Sequence, residues 1–378
     1  MNQILLICLI TGGCFYCGVL LWLIVGMTHL HNNAAAATPF VSVIIAARNE
    51  AVNIRPCLEA CLNQTYPSSR YEVIVVDDRS QDRTGEIVKT LTSRYHNLTV
   101  LRVTDTHPHM APKKWALEYG ISRARGEIIL TTDADCRPSP GWIQSMTACF
   151  TAGVALVAGY SPLVRTERRS LLYYFISLES LGLASVSAGS IGGGIPLTCS
   201  GRNLAYRKSV FREVSGFRTF GHFISGDDDL LLHTIHRNTD YGIRFATDPS
   251  SAVPSEAAGT FAAFSHQRIR HASKGLHYYT ALKIGLIMVY LFYLSLLISI
   301  FIPALFVWAM FILGLKSLME LTLLTRSAKW FGQTRLLWFY PAAALLHIPY
   351  VIIFGLWGQI GRFQWKSERY SKLKEPAE

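Results

Sequence analysis

An α/β domain built on a doubly wound, mostly parallel sheet, flanked by transmembrane helices, is the fold class this sequence predicts. Three observations carry that reading. Short β-branched apolar runs alternate with helical patterns between residues 38 and 275. Polar clusters recur directly after those runs. Uncharged apolar stretches of membrane-spanning length sit at both ends of the chain.

The ends come first in the argument. Of 378 residues, 50% are hydrophobic and 16% charged, an oily balance for a soluble enzyme. The first apolar stretch, about Ile4 to Val25, carries no charge and is long enough to cross a bilayer. A signal peptide competes with that reading, because Ala34 to Ala37 resembles a small-residue cleavage region. No Lys or Arg precedes the run, and it is too long for an ordinary signal core, so residues 1–30 read as an uncleaved anchor. From about Ile284 to Leu324, with Pro303 near the middle, the length fits two spans in a hairpin. Leu336 to Ile360, broken by Pro341 and Pro349, reads as a third span or as a re-entrant or interfacial segment. The membrane region therefore covers 280–362 and a basic tail 363–378. Basic residues in the middle domain and in the loop with Arg326, Lys329 and Arg335 predict that both face the cytoplasm. The expectation is an integral, multi-pass protein of the cell membrane with residues 38–275 on its cytoplasmic face. If the last segment crosses once, the basic tail lies outside, against the same rule; a re-entrant segment removes the conflict.

The net charge of +11 suits a surface lying on anionic membrane lipid. Nucleic acid as a partner is not expected, because no basic stripe interleaved with aromatics lies outside the membrane segments. The eight cysteines form no disulfide framework: Cys14 and Cys17 lie in the anchor, and Cys57 and Cys61 lie one helical turn apart. His107 and His109 flank Pro108 and read as loop residues.

Within the middle domain, Val41 to Ala47, Tyr71 to Val76, Leu98 to Val103 and Glu127 to Thr132 read as strands. Their nearly continuous apolar character is that of strands covered on both faces. Asp82 to Tyr95 and Lys113 to Arg123 have helical spacing. In such sheets ligands bind beyond the carboxyl ends of the strands. There the chain places Arg48, Asn49 and Glu50 after the first strand, Asp77 and Asp78 after the second, and Asp133 and Asp135 after the fourth. No glycine-rich phosphate cradle of the G-x-G-x-x-G or P-loop type is present. Gly189 to Gly194 reads as a flexible loop. Ser170 to Gly189, mostly apolar, reads either as an interfacial amphipathic helix that admits a lipid or as a core helix.

Asp133 and Asp135 are separated by Ala134 alone. In an extended backbone, residues two apart point to one side, so both carboxylates can face one divalent cation, Mg2+ or Mn2+. Alone, such a pair reads as a polar turn; after a buried strand it reads as a metal site.

The ordered set of segments resembles the membrane-integrated family 2 glycosyltransferases, over about Pro39 to Gly275. "VSVIIAARNEAVNI" is similar to that family's opening strand and nucleotide loop, "VIVVDDRSQDRT" to its second strand, and "KKWALEYGI" to its K-x-x-A-L segment. "TTDADC" resembles its D-x-D, "CSGRNLAYRKSVF" its pocket-lining segment, "GDDDLLL" its acidic motif and "QRIRHASKG" its Q-x-x-R-W motif. The resemblance implies the nucleotide-diphospho-sugar transferase (GT-A) fold. It assigns donor contacts to Ala47, Arg48, Glu50, Asp78, Lys113 and Asp133, and metal ligands to Asp133 and Asp135. It assigns catalysis to Asp228 as base, with Asp227, Arg268 and Arg270. Gly201, Asn203, Gln267 and His271 would contact substrate. His271 stands where the family has Trp, and Arg202 stands where a small residue is common.

The chemistry agrees with those assignments. A leaving diphosphate needs positive charge, which a metal and Arg268 or Arg270 supply. The acceptor hydroxyl needs a base, and Asp228 suits if Asp227 and Asp229 raise its pKa. The expected function is inverting transfer from a nucleotide diphosphate sugar, a UDP-sugar by preference, to a lipid or saccharide acceptor at the membrane. A processive polysaccharide synthase is the alternative, and a silent nucleotide-sugar-binding scaffold a second one.

Overall fold

The computed structural model describes residues 2–30, 38–164, 170–360, 362–365 and 368–371. The run Ala34–Ala37 and residues 366–367 and 372–378 of the tail lie outside them. The chain opens with α1 (Asn2–Gly26). The domain that follows holds β1 (Val41–Ala47), α2 (Ile54–Leu62), β2 (Tyr71–Asp78), α3 (Thr84–Thr92), β3 (Leu98–Val103), α4 (Pro112–Arg123) and β4 (Ile128–Asp133). It continues with α5 (Trp142–Ala148), β5 (Val154–Ala158), β6 (Leu163–Val164), α6 (Leu171–Gly192), β7 (Leu204–Arg207), α7 (Lys208–Glu213), α8 (Asp229–Asn238), β8 (Gly242–Phe245), β9 (Ser255–Glu256) and α9 (Phe261–Ser273). Then come α10 (Thr280–Ile300), α11 (Pro303–Trp330) and α12 (Tyr340–Ile360), and a short antiparallel pair, β10 (Arg362–Trp365) with β11 (Glu368–Ser371).

The main sheet has seven strands in the order β3-β2-β1-β4-β7-β5-β8. β1 to β4 run parallel and β7 runs antiparallel to both neighbours. All eight residues of β2 are buried, because helices cover both faces. In register, Ala46 of β1 lies beside Asp133 and Ala47 beside Asp77, so small side chains separate two acids at one sheet edge.

Among the described residues, five helical stretches are long and apolar enough to cross a membrane: 2–29, 171–192, 280–300, 303–330 and 334–359. Pro303 opens α11 at its first turn, where a missing N–H costs nothing, and so separates the two arms of the hairpin. Pro349 sits inside α12 without ending it.

α6 joins the two halves. Its buried Leu181, Ala184, Ala188 and Ile191 belong to one core shared with sheet residues Ile44 and Leu156, with Leu20 and Leu23 of α1, and with Leu324 and Ala328 of α11. The glycine run expected to be a loop is instead the end of this helix, and its purpose is close approach. A Cβ on Gly189 would stand 2.6 Å from the Leu23 carbonyl oxygen, and one on Gly192 would stand 2.1 Å from that of Gly26. The backbones of α1 and α6 touch only because no side chain intervenes.

A polar knot ties the other apolar helices. Glu320 of α11 accepts hydrogen bonds from Tyr16 of α1 (2.6 Å), from Tyr340 at the start of α12 (2.8 Å) and from the fully buried Lys316 (2.9 Å). Tyr293 of α10 joins it and reaches His347 Nδ1 at 3.1 Å.

Gly189→Val forces α1 and α6 apart. The expected cost is about 2 kcal/mol or more, read as a lower thermal midpoint of the detergent-purified chain.

Candidate active site

A cavity of about 510 Å3 opens at the carboxyl edge of β1, β2 and β4. From the first loop it receives Ala47, Arg48 and Glu50, and from the second Asp78. These loops are stitched together: the Asn49 N–H donates to Ser80 Oγ (3.0 Å), the Gln81 N–H to Asn49 Oδ1 (2.8 Å) and the Glu50 N–H to Thr84 Oγ1 (2.8 Å). Asn49 and Arg79 both adopt left-handed backbone, with φ of 54°, which turns each chain sharply at its strand end. Asp78 is buried and receives the Arg79 guanidinium at 2.8 Å, whereas Asp77 caps its own loop through the Ser80 N–H.

β4 ends at Asp133, and Asp135 lies in the turn beyond it. The two carboxylates share the cavity through this turn, closed by the Cys136 N–H on the Asp133 carbonyl, and not through strand alternation as expected. Burial raises both. Lys113, with help from Arg202 and Arg270, overrides it at Asp133 and holds that group below its usual value. At Asp135 burial and the charge of Asp133 prevail and push it up. Such a pair, one acid favoured charged and its neighbour disfavoured, suits a hard divalent cation. Two carboxylates are the protein's share when a diphosphate and waters complete the shell. No three His, Cys, Asp or Glu side chains converge on one point among the described residues, so the diphosphate would have to contribute.

Lys113, in the first turn of α4, bridges Asp133 and Asp227 at 2.8 Å each. Burial opposes its charge, but the two carboxylates override that and hold it well above the usual lysine value. Its neighbour Lys114 is buried, donates to the Phe223 and Ser225 carbonyls, and is pushed down to about 8 chiefly by burial. The first lysine faces the cavity's charges and the second fixes the loop that leads into the acidic motif.

Asp228 caps α8 and accepts the Asp229 N–H at 2.8 Å and the Gly201 N–H at 3.1 Å. A side chain at 201 would meet Asp227 Oδ2 at 3.0 Å, which accounts for glycine there. Asp227 and Asp229 do not raise the pKa of Asp228. Burial pushes it up, but Lys274, the Asp229 N–H and Lys113 together hold it well below the carboxylate range. Lys274, just after α9, lies 2.5 Å from Asp229 and 3.3 Å from Asp228. Asp229 is almost wholly buried and also accepts from Thr198, the Cys199 N–H and Tyr278, so it frames the site.

α9 brings Gln267, Arg268, Arg270 and His271 to the same cavity. Arg270 lies within charge range of Asp133, Asp227 and Asp228. Arg268 turns away to Glu179 of α6, at 2.8 Å. His271 is held neutral by burial and by the cations around it. Arg202 donates to Ser255 and lies on the carboxylate-pair side. Asn203 is the one candidate outside the cavity. Its Oδ1 accepts from Trp142 Nε1 (2.9 Å), and its Nδ2 donates to the Tyr160 and Ser251 carbonyls (2.8 Å each), so no polar atom remains for a sugar. Sequence reasoning missed Lys274 and Glu179, whose partners are remote in the chain and leave no local pattern.

A mostly parallel sheet with a carboxylate pair at one strand end and an acidic motif facing it defines a GT-A glycosyltransferase. The chain belongs to glycosyltransferase family 2: residues 42–215 match the model described as "Glycosyl transferase family 2". It is 34% identical over 225 residues to glycosyltransferase AglE of Haloferax volcanii, covering 58% of this chain and 69% of that one. It is 35% identical over 122 residues to the beta-monoglucosyldiacylglycerol synthase of Trichormus variabilis, covering 32% of this chain and 26% of the synthase. A mannosyltransferase of Pyrobaculum calidifontis, PcManGT, solved with GDP-Man and Mn2+, shares the fold at a TM-score of 0.57 and 19% identity, over 91% of this chain and 99% of that one.

Asn203→Ala strands the Trp142 N–H and two carbonyls in a dry interior. The expected cost is about 3 kcal/mol or more, seen as a drop in thermal midpoint whether or not a nucleotide sugar is present.

Proposed function

We propose that this chain is an inverting, divalent-metal-dependent transferase that moves a sugar from a nucleotide diphosphate sugar, a UDP-sugar by preference, to a lipid or saccharide acceptor. The observation that carries this reading is the continuity of one cavity. The carboxylate pair of β4, the acidic motif at α8 and Arg270 share it with Leu183 of α6 and Val351 and Phe354 of α12. Donor chemistry and an apolar wall thus meet in one space. The relatives support a transferase, and a synthase of a glucosyl lipid is among them.

In this reading Asp78 and the Arg48 loop hold the nucleotide. Asp133 and Asp135 would hold Mg2+ or Mn2+, which would supply positive charge to the leaving diphosphate. Arg270 adds to that charge from the α9 side, and Lys113 keeps Asp133 and Asp227 from repelling each other. Asp228, kept charged, accepts a hydrogen bond from the acceptor hydroxyl and takes its proton only as that oxygen bonds to the anomeric carbon and the hydroxyl becomes strongly acidic. In the same step the bond to the diphosphate breaks on the opposite side. Inversion follows from a single displacement. With the middle domain on the cytoplasmic face, donor enters from the cytoplasm and acceptor from the membrane.

Nucleoside diphosphate release by the detergent-purified chain tests this, with a panel of nucleotide sugars and a lipid extract. Release with one donor, lost in EDTA and at least about 100-fold slower in Asp228→Asn, is expected. Unaltered release in that variant or in EDTA would overturn the corresponding assignment.

Because Asp228 is held low, it remains charged down to the usual carboxylate pKa near 4, and sets no acid limb to kcat/KM above that pH. Removing the Lys274 charge takes away the largest of the effects that hold Asp228 low. Lys274→Met should introduce an acid limb at least about one pH unit higher, measured as a pH profile alongside a melting curve.

A further inference from the structure

α6 carries a single acid, Glu179, in an otherwise uncharged helix. Its side chain is only 10% exposed and that of its partner Arg268 7%. Both bonds of the carboxylate fall on one oxygen: Arg268 Nη1 lies 2.8 Å from Oε1, and the Tyr350 hydroxyl donates to the same atom. Oε2 of Glu179 and Nε of Arg268 are buried with no hydrogen-bond partner among the described residues. A buried acceptor and a buried donor left unmatched on one ion pair are costly. All three residues line the cavity that holds Asp228.

We propose that Glu179, Arg268 and Tyr350 form an acceptor subsite for a neutral, hydroxyl-bearing headgroup, glycerol or sugar, carried on an apolar chain, and that it disfavours a phosphorylated headgroup. This deepens the transfer reading above and rests on it. A hydroxyl that enters from the cavity and parts the Glu179–Arg268 contact can donate to Oε2 and accept from Nε, matching both orphaned atoms. A phosphate dianion cannot donate, is repelled by Glu179, and finds the Arg268 charge already neutralised. The apolar chain has its wall in Leu183 and Ala184 of α6 and Val351 and Phe354 of α12, both helices of membrane-spanning length.

The test uses three probes with one chain length: dioctanoylglycerol, its monoglucoside and dioctanoyl phosphatidic acid. Binding to the full chain in nanodiscs is measured without donor, in an Asp228→Asn background. It therefore does not depend on transfer, and a failure of the transfer reading shows separately, as bound acceptor with no donor turned over. The expected result is at least tenfold tighter binding of one or both neutral probes than of the phosphatidic acid; the tighter of the two identifies glycerol or sugar. Glu179→Gln frees the Arg268 charge, so it should weaken the neutral probes and strengthen the phosphatidic acid, each several-fold. A merely structural role would weaken all three alike. Tyr350→Phe, which removes one oxygen, should weaken neutral binding threefold or more, and guards against misfolding of the first variant. Equal or tighter binding of phosphatidic acid by the parent protein, or an unchanged preference in Glu179→Gln, overturns the proposal.

Discussion

The constraint on which the rest of the structure depends is the crowding of negative charge. Asp133, Asp135, Asp227, Asp228 and Asp229 line one cavity. Two charges 4 Å apart at an effective dielectric of about 20 repel by roughly 4 kcal/mol, so the cluster needs counter-charges built into the fold. Lys113 spans Asp133 and Asp227, and Lys274 spans Asp228 and Asp229. One lysine comes from the start of α4 and the other from the end of α9, so the cluster fixes where both helices dock. That requirement brings α9, and with it Arg268 and Arg270, against the carboxyl edge of the sheet.

The second organising feature is the core shared across α6. A sheet domain tethered to the long apolar helices by a linker would move freely relative to them. Here α1, α6 and α11 contribute side chains to the same apolar cluster as the sheet, and backbone contact through Gly189 and Gly192 fixes their spacing. The cavity's apolar wall is thereby held at a set distance from its carboxylates.

Much of this was legible in the sequence. The runs Val41 to Ala47 and Leu98 to Val103 are strands with those same bounds: the first is mostly apolar and almost wholly buried, and the second, at the sheet edge, buries its end residues Leu98 and Val103 and exposes Thr99 and Arg102. Every motif residue proposed for the site reaches the cavity except Asn203: the strand ends of β1, β2 and β4 converge on one sheet edge, and the starts of α4 and α8 and the helix α9 pack over it. Elsewhere local pattern misled. Gly189 to Gly194 looked like a breaker because glycine weakens helices in isolation; only the approach of α1 explains its use. The spacing of Asp133 and Asp135 suggested strand alternation, but the strand stops at the first of them. The proximity of three aspartates suggested a raised pKa at Asp228, but Lys274, 46 residues away, is the largest of the effects that lower it instead. Asn203 and Glu179 are defined by partners 61 and 89 residues distant and carry no local signature.

The polar knot at Glu320 bears on how the chain is made. Tyr16 and Glu320 are separated by 304 residues. At about 5–20 residues per second, the first helix waits roughly 15–60 s for its partner. Lys316 and Glu320 are one helical turn apart, so a helix of membrane-spanning length carries them as a pair, where a lone lysine at a bilayer midplane would cost about 3 kcal/mol. The hydroxyls of Tyr16 and Tyr293 are already in place when that pair arrives, and Tyr340 follows within 20 residues. The order of synthesis thus presents the helix that carries this charged pair with hydrogen-bond partners made both before and after it, so a chain that ended after α10 would keep Tyr16 and Tyr293 without the carboxylate that both of them reach.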